Sequence, residues 1–191
     1  MLAEFERDLQ VLIDRPSMHR PFVCEGSPLA CDVLIVGYNP ATTMKQDFWT
    51  YWKPDYGFDK SAWFAAYREE RAARPLKPGK KFRPAISPTR RVLEWIGEGA
   101  APCRILETNI FSVPSEAKAD LALEKRESAP FKFLVNRVKP VVIIAHGKDA
   151  HEAVAQLETS ATVFNVSHLS RGWSQEKAKR LGNEIQLIAR G

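Results

Sequence analysis

Apolar residues in this chain come in two periods, and the two alternate. Residues 2–14 place Leu2, Phe5, Leu9, Leu12 and Ile13 on one helical face, and Arg15-Pro16-Ser17 ends that helix. A continuous run, Val33-Leu34-Ile35-Val36-Gly37, has the character of a buried strand, predicted over 32–37. Further strands are predicted at 104–110, 141–145 and 161–166. Helices are predicted near 60–74, from Ser87-Pro88 to Gly97, and over 127–138 and 148–157. Ser87 suits an N-cap and Pro88 the first helical position. A short helix over 174–181 and a last strand over 184–189 complete the pattern. Strands alternating with helices predict a parallel sheet with helices on both faces. The expected fold class is α/β, a three-layer α/β/α sandwich on a mostly parallel sheet of four to five strands, forming one domain over 1–191.

Three of these strands end in polar loops. In such sheets ligands bind outside the carboxyl ends of the strands. Gly37-Tyr38-Asn39-Pro40-Ala41-Thr42, Thr108-Asn109-Ile110-Phe111-Ser112 and Asn165-Val166-Ser167-His168-Leu169-Ser170-Arg171 are predicted to converge there. Two asparagines and a histidine lack the partners of an acyl-transfer triad. Neither a GK[ST] phosphate loop nor GxGxxG opens any helix. An asparagine amide offers both a donor and an acceptor, which suits the edge of a nucleobase. A histidine can donate to an oxygen that gains negative charge.

Composition narrows the setting. The chain has 191 residues, 45% of them hydrophobic and 27% charged. It has no run long enough to span a bilayer and no signal-peptide pattern at its start, so a cytoplasmic protein without membrane partners is expected. Cys24, Cys31 and Cys103 are scattered, and His19, His146, His151 and His168 lack metal-ligand spacing, so no metal, cluster or other cofactor is expected. The formal net charge of +5 is concentrated. Arg68, Arg71, Arg74, Lys77, Lys80, Lys81, Arg83, Arg90 and Arg91 lie between Ala66 and Val92 against only Glu69 and Glu70. Such a segment is either a solvated loop or a phosphate-binding surface.

Taken together, the motifs resemble the uracil-DNA glycosylase superfamily. Gly37-Tyr38-Asn39-Pro40 is similar to its first motif, in the Gly-x-Asn-Pro form of the mismatch-specific and single-strand-selective branches. Glu107-Thr108-Asn109-Ile110 resembles the segment whose asparagine reads the uracil edge. Ile144-Ala145-His146-Gly147-Lys148-Asp149-Ala150 resembles a structural strand–helix element. The segment 165–171 stands where the second catalytic motif belongs. The resemblance spans about 32–175, with an aromatic and basic insertion at about 43–85.

It implies a glycosylase that flips a uracil or related damaged base out of DNA and hydrolyses its N-glycosidic bond. The same fold could instead serve as a non-catalytic nucleobase or nucleic-acid binding module, or as a small-molecule enzyme. Under the resemblance Asn39 positions the attacking water and Asn109 holds the base edge. Tyr38, Tyr51 and Trp52 are candidates for contacting the base. The third motif has two registers. In one, His168 stabilises the departing base anion. In the other, Leu169 is the wedge filling the vacated stack. Lys80, Lys81, Arg83, Ser167, Ser170 and Arg171 are candidate DNA contacts. Leu169 or Val166 stands where the motif has proline, and Ala41 where the first motif has glycine.

Overall fold

The computed structural model describes residues 1–76, 78–79 and 81–191. In chain order the main elements are α1 (Leu2–Ile13), β1 (Phe22–Val23), β2 (Val33–Gly37), β3 (Trp52–Lys53), β4 (Gly57–Phe58), α2 (Lys60–Ala73), α3 (Pro88–Ala100), β5 (Ile105–Asn109), α4 (Ala129–Val138), β6 (Val142–His146), α5 (Lys148–Ala155), β7 (Thr162–Val166) and α6 (Gln175–Arg190). The central sheet has the order β1-β5-β2-β6-β7. Its last four members are parallel, and β1 runs antiparallel on the β5 edge. β3 and β4 form a separate two-stranded hairpin.

Alternation along each strand separates two cores. Leu34, Val36, Leu106 and Ile143 face a cluster built with α1, α4 and α5. Val33, Ile35, Val142 and Ile144 face a second cluster, where α3 and α6 contribute Val92, Ile96, Leu181 and Ile185. The result is a three-layer α/β/α sandwich. Among the described residues, no helix is long and apolar enough to cross a membrane.

Two expected elements differ. The separate helix and strand over 174–189 are one helix, α6, whose N-cap Ser174 accepts from the Lys177 N–H. β1 was not expected from the sequence; it is only two residues long.

The aromatic stretch after Asn39 is core. Phe48, Trp49, Tyr51 and Trp52 are each no more than 5% exposed and pack around Phe5, Phe22 and Phe58. Tyr51 and Trp52 are therefore not base-contacting residues of the strand-end cleft. Apolar rings this large contribute more when buried together than when left at a wet rim.

Candidate functional site

At the carboxyl ends of β2, β5 and β6, three positions meet on the α3/α6 side of the sheet. Gly37 pairs with Asn109 across β2 and β5. His146 follows Ala145, which pairs with Val36 on the other side of β2. A side chain at Gly37 would point between them. A Cβ there would lie 2.7 Å from Asn109 Oδ1 and 2.8 Å from His146 Nε2. The missing side chain thus lets an amide and an imidazole reach one spot. Gly37→Ala is expected to leave the fold intact, because only the ends of two side chains must shift. It should cut ligand affinity about tenfold or more, an effect of about 1.4 kcal/mol. Titration of the variant with a nucleobase ligand, beside its melting curve, checks this; unchanged affinity would show that the Asn109–His146 spot is not used.

These residues line a cleft of about 580 Å³, within the range of small-molecule sites. Tyr38, Asn39, Asn109 and His168, all expected at a site, line it together. Tyr38 is half-buried, edge-on to Phe111 at 5.1 Å, with Lys118 Nζ 4.9 Å from its ring centre. The Asn39 amide nitrogen donates to Ser115 Oγ at 2.8 Å and to the Pro40 and Val113 carbonyls at 3.3 Å. Ser115 Oγ itself donates to the Ala117 carbonyl, so it accepts from Asn39. This fixes the amide orientation and leaves Asn39 Oδ1 as the acceptor for a ligand or water.

The His168 ring stands edge-on to His146, with centroids 5.1 Å apart. His168 Nδ1 accepts the Ser170 backbone N–H at 3.2 Å and lies 2.8 Å from Ser170 Oγ. The neutral ring therefore carries its proton on Nε2. Desolvation and the nearby Arg171 hold its pKa below the usual histidine value, which favours the neutral ring. Burial, with His168 and His151 beside it, pushes His146 down to about 3. His146 Nδ1 is buried without a hydrogen-bond partner among the described residues.

Ser170 hydrogen-bonds His168, while Ser167 and Arg171 are exposed beside it. Leu169 is fully buried among the α3/α6-side residues, so it is not a wedge available to fill a stack. Arg83 lines the cleft and Lys81 is exposed. Lys80 lies outside the described residues.

On the opposite wall, Arg71, Arg74 and Arg90 come from the basic segment, whereas Lys60, Trp63 and Tyr67 were not anticipated. α2 presents Lys60, Trp63, Tyr67, Arg71 and its C-cap Arg74 at helical spacing, and all but Lys60 line the cleft. Trp63 and Tyr67 stack at 5.5 Å, and Arg20 and Arg90 approach the Trp63 ring at 5.6 and 5.0 Å. Below them Glu107 pairs with Lys60 at 3.0 Å and Arg90 at 2.5 Å, and Glu94 joins both cations at 3.4 and 3.2 Å. Burial alone would raise the Glu107 carboxyl, but Arg90 and Lys60 prevail and hold it below the ordinary glutamate value. The helical spacing of Lys60, Trp63, Tyr67 and Arg71 was the sequence signal for this wall. Arg20 and Glu107 had no comparable local signal.

The chain matches no family model, and a comparison with curated proteins also found no match.

Proposed function

We propose that the cleft is the active site of a DNA glycosylase, hydrolysing the N-glycosidic bond of uracil or a related damaged base. The observation that carries this reading is the meeting of Asn39, Asn109, His146 and His168 in one nucleotide-sized cleft with cationic walls. The motif resemblance to the uracil-DNA glycosylase superfamily points the same way. Asn109 reads the edge of the flipped base beside Gly37, and Tyr38 offers an aromatic face. Asn39 Oδ1 accepts a hydrogen bond from the attacking water and orients its oxygen toward C1′. The C1′–N bond breaks with its electron pair remaining on the base, and the new bond forms from water oxygen to C1′. His168 Nε2–H donates to the base oxygen as it gains charge. The proton lost by the water passes to solvent or to the departing base.

A second reading, a non-catalytic nucleobase-binding module, draws on Asn39, whose amide nitrogen already ties the loop to Ser115. Incubation with single- and double-stranded oligonucleotides carrying uracil, hypoxanthine or a mismatch, followed by alkali, separates the two. The glycosylase reading expects strand breaks at the modified position. Binding without any abasic product favours the module.

A further inference from the structure

We propose that the arginine-lined end of the cleft is a subsite for a phosphate monoester dianion, so that the ligand bound there carries a terminal phosphate. The proposal deepens the reading of this cleft as a nucleotide site and rests on it for the identity of the base.

Arg20, Arg71, Arg74 and Arg83 all line the cleft. Backbone carbonyls hold each of them. Arg20 donates to Thr42 at 3.1 Å, Arg71 to Pro84 at 2.8 Å, Arg74 to Thr43 at 2.5 Å and Arg83 to Pro75. Carbonyls fix a guanidinium's geometry without cancelling its charge. Among the described residues, none of the four pairs with a carboxylate. Of the acids lining the cleft, Glu107 pairs with Lys60 and Arg90 and Asp149 with Lys118, while Glu116 pairs with none of the four arginines among the described residues.

That leaves Arg20, Arg71, Arg74 and Arg83 lining the cleft without a carboxylate partner among the described residues. Burial lowers Arg20 to about 10, and the like charges of Arg90 and Arg74 add to the fall, while Glu107 opposes it. Crowding cations into a desolvated pocket costs free energy unless an anion joins them. The planar forks of arginine match the oxygens of phosphate. Buried Arg83 Nε and Trp63 Nε1 add two donors without partners among the described residues. A backbone phosphodiester brings one charge; a monoester brings nearly two at pH 7, which fits two unmatched guanidiniums in a concave site.

Calorimetric titration of the intact protein with deoxyuridine, deoxyuridine 5′-monophosphate, and a short thymidylate with and without a 5′-phosphate tests the site. Charge-assisted contacts of this kind predict at least about tenfold tighter binding of the monophosphate than of the nucleoside. Inorganic phosphate should compete. Arg20→Gln and Arg74→Gln should each erase most of the preference, with nucleoside binding retained. Arg74, at the end of α2, serves if Arg20→Gln does not fold. Tighter binding of the phosphorylated oligonucleotide than of the mononucleotide identifies strand ends as the source, and the reverse identifies free nucleotides. Equal binding of nucleoside and monophosphate, together with equal binding of the two oligonucleotides, overturns the proposal. Because binding is the readout, a phosphate preference without abasic product overturns the glycosylase reading alone, and abasic product without the preference overturns the subsite alone.

Discussion

Glu107→Gln is expected to destabilise the protein by about 3–5 kcal/mol, the cost typical of removing one partner from a buried ion pair. Glu107 is 8% exposed and stands on β5 between Arg90 and Lys60. Glutamine preserves shape and some hydrogen bonding but removes the charge that offsets two cations beside Arg20. For a chain of this size the loss corresponds to a melting point lower by on the order of 10 °C. Glu94→Gln is the control. Its carboxylate is 32% exposed, so its pairs are worth at most about 1 kcal/mol. The pH dependence carries a second signature. Because the folded pKa of Glu107 is depressed, its contribution is complete above the unfolded carboxyl value of 4.5 and is lost as pH falls through the folded value. Subtracting the variant's stability curve from the wild type's isolates that acid limb, since His146 titrates in both proteins. Equal melting points at pH 7 would mean that the ion cluster is not structural.

Glu107 also marks where sequence reading stopped. Its partners lie 17 and 47 residues away, on α3 and α2, and nothing local in Ile105-Leu106-Glu107-Thr108 signals a buried charge. The parallel strands were legible because a strand buried on both faces must be apolar throughout, as Val33–Val36 and Val142–Ala145 are. The end of the chain was misread because Glu184-Ile185-Gln186-Leu187-Ile188 alternates like a strand. The competing helical period runs through Ala178, Leu181 and Ile185. Backbone contact settles it: a Cβ on Gly182 would come within 2.4 Å of the Ile96 carbonyl, and one on Gly99 within 2.2 Å of the Lys179 carbonyl. Two glycines thus let α3 and α6 pack closely. At the site, Asn39, Asn109 and His168 were legible as polar residues at strand ends. Tyr51 and Trp52 were misplaced because spacing from Asn39 says nothing about which ring the core takes. Leu169 was misplaced for a related reason: in a loop beside β7 an apolar side chain turns inward when the second core can accept it.

On the proposed glycosylase reading, His168→Ala is expected to slow base release by about 10²–10³-fold, the loss typical of removing one preorganised donor to a developing anion. The argument rests on the tautomer. With Nδ1 accepting the Ser170 N–H, Nε2–H is available to donate into the cleft. Burial and Arg171 hold its pKa below the usual histidine value, so the donor is the neutral imidazole and any titration of this step should fall on the acid side of the ordinary histidine range. The residue is exposed, so truncation should change stability by no more than about 0.5 kcal/mol, and lost activity would not be lost folding. Ser170→Ala keeps the backbone N–H that sets the tautomer, and its effect should be several-fold at most. Single-turnover measurement of abasic-site formation, with enzyme in excess over a uracil-containing oligonucleotide, reads the chemical step directly. A His168→Ala rate within twofold of the wild type would move the anion-stabilising role away from His168. His146, edge-on to the same ring with its Nε2 beside Gly37, would then be the donor to test.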